Sequence, residues 1–335
     1  RLKGDWVDHL EGRAFSLRVR VRGQDAVLGM RRFSIQRPQT RVGHYEALVL
    51  EQMREEGLIA PRYAFVRFSL NDESLGVMAV EEFMSTELLE ANGRREGVIL
   101  ALDEDFLWRQ RRHNALLGAK SGSDQVRSPV GLFEAAHRSP VRTFQEGTVL
   151  RDPVLRSQYE EALGLLRGYF EGRLAPEEIF DVERLGRFFA VVNVWNADHP
   201  TWWHNVRVYF NPVTRLLEPI GFDNNVPLVA PPPGTAPRWQ GSDFYHLEGS
   251  ERFHAAYGET MDRLREQVRS GELEKRIRAW EAAHYARMGP GDHQDAPYPM
   301  SVMKARLDAL DRVEVPRREV SAYDPGPAPP LSLIH

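Results

Sequence analysis

The stretch that most constrains this chain runs from Asn193 to Asn225 and reads NVWNADHPTWWHNVRVYFNPVTRLLEPIGFDNN. Its pattern predicts a helix that ends at Asp198, a hairpin from Val206 to Ile220, and an acidic residue, Asp223, just beyond the second strand. Because a hairpin returns the chain to its starting point, we expect the two ends of the stretch to lie close together. Two carboxylates and the amide of Asn205 would then share one place in the fold.

An Asp, an Asn a few residues later and a second Asp beyond a hairpin stand in the order that phosphoryl-transferring kinases use. That chemistry needs one carboxylate to accept the proton of the attacking hydroxyl. An amide oxygen and another carboxylate hold a divalent cation against the nucleotide phosphates. We therefore predict that Asp198 is the catalytic base and that Asn205 and Asp223 are metal ligands. The position of Asp198 at a predicted helix C-terminus also favours a functional role, because the helix dipole disfavours negative charge there.

Each of these residues also has a plain structural interpretation. Asp198 could belong to a polar loop, and Asn205 and Asp223 could simply form turns. A zinc site made by His199 and His204 together with Asp198 is disfavoured, because the proline and tryptophan residues between the two histidines do not suit a helix.

The composition allows a globular protein and excludes several other classes. The chain has 335 residues, of which 42% are hydrophobic and 27% charged, enough for two lobes or domains. A formal net charge of -4 gives no support for nucleic-acid binding. No apolar run is long enough to span a membrane, and the absence of cysteine excludes disulfides and thiol nucleophiles. The sequence begins at Arg1 without a signal peptide. We expect a bacterial extracytoplasmic or membrane-anchored protein with its leader or anchor trimmed, and a cytoplasmic location is the alternative.

The first 86 residues have the pattern of a small antiparallel sheet with a single helix against it. Two pairs of segments with apolar and polar alternation predict four strands. Between the pairs, residues 42–56 show helical spacing, and Gly57 closes the helix. We assign residues 1–86 to one domain. The predicted strands are 15–22, 26–35, 64–70 and 75–83.

Residues 87–315 are predicted to form a mainly helical domain. Asp152 has the position of a helix N-cap, and a central core helix is predicted from Pro176 to Asp198. Residues 117–150, which are rich in Gly, Ser, Pro and charge, are predicted to be an irregular surface insertion. The remaining predictions are helices at about 249–270, 272–288 and 299–312 and an extended tail at 316–335.

Several segments, taken in order, resemble the CotH kinase family, the spore-coat-type atypical protein kinases of bacteria. They are KGDWVDHLEGRAFSLRVRV, GMRRFSIQRPQTR, YEALVLEQMREEGLIAPRYAFV, LGVMAVEEF and ADHPTWWHNVRVYFNPVTRLLEPIGFDNN. The resemblance covers roughly residues 1–290. It implies an α+β, protein-kinase-like fold of two lobes, a small antiparallel sheet lobe and a mainly helical lobe. It also implies ATP, with Mg²⁺ or Mn²⁺, and phosphorylation of protein Ser or Thr hydroxyls.

The resemblance assigns roles to particular residues. Asp198 matches the catalytic-loop Asp, while Asn205 and Asp223 match the metal-binding amide and carboxylate. Glu46, on the single helix of the first domain, matches the carboxylate that pairs with the phosphate-binding cation.

Two positions depart from the expected pattern. The strand that should carry a nucleotide-binding Lys has Arg31 and Arg32 instead, and we favour Arg31 as the equivalent. Arginine binds phosphate well but is larger and forked. Asn225 stands near the place of an expected second Asp. Glu82 and Phe83 end the last strand of the first domain where a hinge would run, so their backbone is predicted to contact adenine.

The sequence therefore predicts an atypical kinase that transfers the γ-phosphate of ATP to a hydroxyl, most readily a protein Ser or Thr. An envelope-associated acceptor or a small molecule is the alternative substrate. Two other functions stay open: a pseudokinase or scaffold module, which the arginine substitution favours, and a transferase of AMP or another group on the same fold. No nucleic acid and no membrane span are expected for this sequence.

Overall fold

The computed structural model describes residues 2, 14–23, 25–105, 107–109, 112–113, 116, 139–229, 231–232, 234–240, 242, 244–288 and 296–312. Within these residues the fold is α+β, with two four-stranded antiparallel sheets and several helices. The predicted tail and most of the predicted insertion at 117–150 lie outside the described residues. In the part that is described, no helix has both the length and the apolar character needed to cross a membrane.

The first sheet is formed by strands from the first 86 residues, as predicted. Its spatial order is β1-β2-β4-β3, and all neighbours are antiparallel. The second strand is shorter than predicted, because Val27 and Met30 exchange two backbone hydrogen bonds of 3.0 and 2.8 Å across a tight turn. The strands are β1 (Leu17–Arg20), β2 (Arg32–Gln36), β3 (Tyr63–Leu70) and β4 (Glu73–Glu82).

The two faces of the first sheet differ in character, because successive side chains on a strand point to opposite faces. One face carries a separate apolar cluster made by Met30, Phe33, Ile35, Met78 and Val80. The opposite face joins the main core through Tyr63 and Phe65. That second face also holds Ser34 and Glu81, which are directly paired across β2 and β4.

The second sheet has the order β6-β5-β7-β8 and includes the predicted hairpin. Part of the segment predicted as irregular is regular: residues 141–143 form a strand paired with β5, and a short helix follows. Three residues are too few to show a strand period in the sequence. The strands are β5 (Ile99–Leu102), β6 (Val141–Thr143), β7 (Arg207–Phe210) and β8 (Leu217–Pro219).

The helices confirm most of the predicted helical segments. The side chain of Asp152 accepts hydrogen bonds from the amides of Val154 and Leu155 at 2.8 and 3.0 Å, so it is the predicted N-cap. The described helices are α1 (Tyr45–Glu55), α2 (Thr86–Ala91), α3 (Glu146–Val149), α4 (Pro153–Phe170), α5 (Pro176–Ile179), α6 (Val182–Val194), α7 (Glu251–Ser270), α8 (Glu272–Met288) and α9 (Met300–Asp311).

The central helix α6 is almost entirely buried and packs along α7. Gly186 allows this close approach, because a Cβ at that position would lie 2.7 Å from the backbone nitrogen of Tyr257. The prediction of a single helix from Pro176 to Asp198 was wrong at both ends. The backbone is extended at Phe180, and Asp181 caps α6 by accepting a hydrogen bond from the Arg184 amide at 3.0 Å. Helix α6 ends at Val194, and the chain then turns through Asn196, whose φ is +55°.

Helix α1 connects the two halves of the molecule. It packs against β3 of the first sheet and against α6 and α8. Gly57, with φ of +72°, terminates it as predicted. The chain that leaves β8 passes close to it, and the amide of Gly221 donates to the carbonyl of Ile59, just beyond the helix, at 2.9 Å. A Cβ on Gly221 would overlap the Met53 sulfur, so a larger residue would have to displace that side chain of α1.

Candidate functional site

Asp223 lies at the centre of a buried charged cluster. It follows the close passage of the chain over α1 and takes a left-handed backbone conformation, with φ of +57°. One carboxylate oxygen, Oδ1, is paired with Nη1 of Arg41. The other, Oδ2, lies 3.2 Å from Nδ1 of His199, and the same ring nitrogen is 3.2 Å from the Asp223 carbonyl oxygen. A single buried carboxylate therefore stands between two basic side chains.

The charge of Asp223 favours the protonated forms of its basic neighbours. Burial alone would lower the pKa of His199, but its hydrogen bond to Asp223 and the charge of that residue outweigh burial and raise the pKa above its usual value. Burial also opposes the charge of Arg41, yet Asp223, Glu81 and Glu46 together raise the pKa of Arg41. The cluster is thus a compensated set of charges and not an isolated acid.

Arg41 reaches the cluster from a short 3₁₀ turn, Pro38–Arg41, that follows β2. Its side chain is only 12% exposed, and its Nε lies 3.9 Å from a carboxylate oxygen of Glu81. The sequence prediction did not include Arg41. Its signal was a basic residue five positions before Glu46, but Arg37 stands in the same segment, and residue type alone could not choose between them.

Glu46 contacts the segment that carries Asp223. Its Oε1 accepts hydrogen bonds from the backbone amide and the side-chain amide of Asn224, at 3.0 and 2.9 Å. Its Oε2 accepts one from the backbone amide of Asn225 at 3.1 Å. Burial raises the pKa of Glu46 to about 7, although Arg41 acts in the opposite direction. Two backbone amides and one side-chain amide therefore join Glu46 to the segment after Asp223, and the cation that lowers its pKa is Arg41 and not the predicted Arg31 or Arg32.

The predicted phosphate-binding residues Arg31 and Arg32 have other neighbours. Nη2 of Arg31 donates to the carbonyl of Gly23 at 2.5 Å. Burial opposes ionisation of Glu87, but Ser85 and then Arg31 and Arg32 lower its pKa. The cation paired with Asp223 is Arg41 instead. Arg31 and Arg32 stand at the start of β2, whereas the chain turns toward Asp223 only after the strand ends. The turn that follows, Pro38–Arg41, therefore supplies the cation.

Asp198 and Asn205 lie at the two ends of the short segment that carries His199. Oδ2 of Asp198 lies 3.3 Å from Nη1 of Arg238, and its side chain is 29% exposed. Asp198 starts the 3₁₀ turn His199–Thr201, so the helix-dipole argument for this residue does not apply. Because the next residue, His199, contacts Asp223, the structure brings the two acidic segments together as predicted.

Asn205 is buried, and its backbone amide donates to the carbonyl of Trp202 at 2.7 Å. Its side-chain nitrogen is buried without a hydrogen-bond partner among the described residues. An unsatisfied buried polar atom is rare and needs an explanation. Oxygen and nitrogen of an amide exchange places on a flip, and a metal-facing oxygen at this position is one such explanation.

The backbone amides of Glu82 and Phe83, the predicted hinge residues, are already hydrogen-bonded within the protein. The amide of Glu82 donates to the Arg62 carbonyl at 3.0 Å, and that of Phe83 donates to the Arg32 carbonyl at 3.1 Å. The Glu82 carboxylate accepts from the backbone amide and the side chain of Arg62. Neither amide can donate to a ligand unless a sheet hydrogen bond breaks.

A metal site here would be built from few protein ligands. Among the described residues, no group of three or more His, Asp or Glu side chains is arranged to hold a metal ion. Magnesium, however, is usually held by one or two protein ligands together with waters and substrate phosphates. Asp223 and Asn205 supply the carboxylate and amide oxygens that such a site uses, and Asp223 would have to exchange its basic neighbours for the metal.

Comparisons with protein families and with curated proteins found no relative of this chain. The chain matches no protein-family model, and no curated protein is significantly similar to it. The resemblance to the CotH kinases therefore stays a prediction, and the function has to be argued from the site itself.

Proposed function

We propose that this chain is an ATP-dependent phosphotransferase of the CotH kinase type, with the two sheets and their helices forming a kinase-like pair of lobes. The observation that carries the proposal is the position of Arg41. Arg41 lies in the turn that follows β2 of the first sheet, and its guanidinium pairs with Asp223 beyond the hairpin. The charge of Glu46 also acts on it and raises its pKa. A phosphoryl-transfer site needs a cation at this junction of helix, sheet and metal-binding carboxylate.

Each residue has a defined task in this proposal. Arg41 binds nucleotide phosphates in place of the expected lysine, and its fork can contact two phosphate oxygens at once. Asp223 and Asn205 would hold Mg²⁺ or Mn²⁺, and the metal would supply charge neutralisation for the transferred phosphoryl group. Asp198 is exposed enough to accept the proton of an incoming hydroxyl. Positioning and charge neutralisation, more than covalent chemistry, provide the rate.

The contacts of Asp223 avoid a buried unpaired charge, because its carboxylate is compensated by Arg41 and His199. A metal bound by Asp223 would take the place of Arg41 there, and the guanidinium would then be available to the nucleotide phosphates. The same group would thus neutralise either the acid or the nucleotide.

One observation favours a second candidate, a pseudokinase that binds a nucleotide or a partner without turnover. Asp223 is already neutralised by the protein, so metal binding has to compete with two buried contacts. Transfer of AMP in place of phosphate, and an envelope-associated acceptor in place of a protein, are variants of the leading proposal.

Labelled nucleotides separate these functions. The protein is incubated with Mn²⁺, a Ser- and Thr-rich acceptor protein, and ATP labelled at either the γ- or the α-phosphate. A phosphotransferase incorporates only the γ label, whereas an AMP transferase incorporates only the α label. A pseudokinase is raised in melting temperature by ATP with Mn²⁺ but incorporates neither label and releases no ADP. Absence of both a thermal shift and incorporation contradicts all three functions.

A further inference from the structure

Three phenylalanines lie just beyond strand ends that converge beside the charged cluster. Phe83 follows β4, Phe144 follows β6, and Phe222 follows β8 by a few residues. All three are only partly buried. The rings of Phe83 and Phe144, which belong to different sheets, have centroids 5.6 Å apart at an interplanar angle of 76°. Together they form an aromatic surface shared by both sheets.

Guanidinium groups of three arginines lie over the rings of these phenylalanines. The Arg18 guanidinium lies 5.3 Å from the Phe83 centroid. That of Arg207 lies 5.6 Å from Phe144 and 4.9 Å from Phe222. Finally, Arg41 lies 5.7 Å from Phe222. We call this continuous series of contacts the aromatic–arginine row; in order, its members are Arg18, Phe83, Phe144, Arg207, Phe222 and Arg41.

The rings of the row are not completely enclosed, although Phe144 and Phe222 also pack against a small apolar cluster. Phenylalanines of the main core, such as Phe188 and Phe189, are completely buried, whereas the three rings of the row keep part of their surface open. Arg207 is buried between two of them and is held by hydrogen bonds from its Nη1 to the carbonyls of His204 and Val206, at 2.9 and 3.0 Å. Its plane is therefore fixed against the rings before any ligand arrives.

The row offers aromatic and guanidinium faces but few polar groups for reading the edge of a ligand. The phenylalanine side chain has no polar atoms, and the backbone amides of Glu82 and Phe83 already donate to carbonyls of the first sheet and its flanking residues. Flat, π-rich rings bind such faces by stacking, and stacking tolerates differences in ring substituents because every nucleobase has a π-face.

We propose that the aromatic–arginine row is a nucleobase platform that holds the base by stacking and discriminates little between adenine and guanine. The inference rests on the proposed function, because the row ends at Arg41, where the phosphates would bind. The site then selects for the triphosphate and the metal, and accepts ATP and GTP alike.

Calorimetric titration of three Mn²⁺-loaded probes tests this inference: ATP, GTP and inorganic tripolyphosphate, which lacks a base. We expect ATP and GTP to bind with dissociation constants within about threefold of each other, and both about tenfold or more tighter than tripolyphosphate. Phe144→Leu keeps an apolar side chain but removes the ring. This variant should weaken ATP binding about tenfold and leave tripolyphosphate binding unchanged.

The matched control is Phe68→Ala, which removes a partly buried ring from the opposite face of the first sheet. It should bind all three probes as the parent protein does. If ATP binds and GTP is weaker by more than about thirtyfold, the base is read at its edge. That result overturns the platform and leaves the phosphotransferase intact. Equal affinity for ATP and tripolyphosphate also overturns it. If neither of those two probes binds, the proposed function fails and the platform with it.

Discussion

Arg41 decides the charge balance of the site at the scale of single residues. It is the cation that contacts Asp223, and Glu81 and Glu46 also contribute to its raised pKa. Removing it leaves Asp223 with His199 as its remaining described ion-pair partner and takes away a cation that also acts on Glu81 and Glu46. Breaking a buried pair in this way destabilises a protein far more than the pair itself contributes.

We predict that Arg41→Ala lowers the free energy of unfolding by about 3–5 kcal/mol, because it leaves Asp223 with less compensation in a buried site. Arg31→Ala, at the position that the sequence favoured, should change it by less than about 0.5 kcal/mol. Urea denaturation of both variants measures the difference. Equal losses for the two arginines would assign Arg41 no special place in the cluster.

Glu46 gives the site a pH dependence whose sign follows from its pKa of about 7. In the unfolded chain this carboxyl has its usual, lower pKa. Between the two values the folded protein binds more protons than the unfolded one, so stability falls as pH rises. We predict that Glu46→Gln removes about 2–3 kcal/mol of this decline between pH 5 and pH 8, roughly the worth of a two-unit shift. Parallel stability curves for the parent and the variant, measured by urea denaturation at each pH, would contradict the assignment.

The sequence could predict that the segments of Asp198 and Asp223 meet, but not which cation pairs with Asp223. Asp198, Asn205 and Asp223 were selected by their order around a hairpin, and a hairpin is a local structure. Arg31, Arg32 and Arg41 are chemically identical, and which of them reaches Asp223 depends on where β2 starts and where the following turn lies. Strand register is fixed by pairing with β4, and no local pattern states that pairing.

Helix α1 is the element that places the site, and both of its ends are anchored. At its start, Nε2 of His44 lies 3.1 Å from a carboxylate oxygen of Glu281 and 3.1 Å from the hydroxyl of Tyr285, both on α8. At its end, Glu56 accepts hydrogen bonds from Arg263 at 3.0 and 2.5 Å. Because His44 lies between Arg41 and Glu46 in the chain, the contact with α8 also positions those two residues.

We predict that Glu281→Ala loosens α1. The carboxylate is buried and also accepts a hydrogen bond from the Tyr298 amide at 2.6 Å, so its loss leaves several polar groups unsatisfied. The free energy of unfolding should fall by about 3 kcal/mol. The amides of residues 45–55 should exchange with deuterium faster than in the parent protein, and their exchange should increase more than that of the α6 amides. Glu274→Ala, on the same helix but 41% exposed, is the control and should change neither quantity. Unchanged exchange in residues 45–55 of Glu281→Ala would show that α8 does not hold the helix.

Elements with a clear period could be predicted, and short or interrupted ones could not. The strands of the first sheet, the capped helix α4 and the core helix α6 were recognised from spacing and capping residues. The end of α6 was missed because Trp195 continues the apolar stripe while Asn196 already has a left-handed backbone. Strand β6 was missed because its three residues form a strand only through pairing with β5.

The whole molecule depends on contacts between segments that are far apart in the chain. Strand β5 pairs with β7, with Leu100 opposite Val208. The backbone of Ile59 also bonds to Gly221, which joins the first sheet's connection to the end of the hairpin. The α+β class could be read from the order of elements. The placement of the aromatic surface between the sheets could not, since its three phenylalanines come from three separate parts of the chain.

The proposed exchange of partners at Asp223 can be observed directly. A crystal structure of the protein with a non-hydrolysable ATP analogue and Mn²⁺ locates the metal by its anomalous scattering. We predict that Mn²⁺ is bound by Asp223 and Asn205, that the Arg41 guanidinium has moved from Asp223 to the phosphates, and that the γ-phosphate faces Asp198. A structure in which the analogue and Mn²⁺ bind elsewhere while Arg41 remains paired with Asp223 would contradict the proposed site.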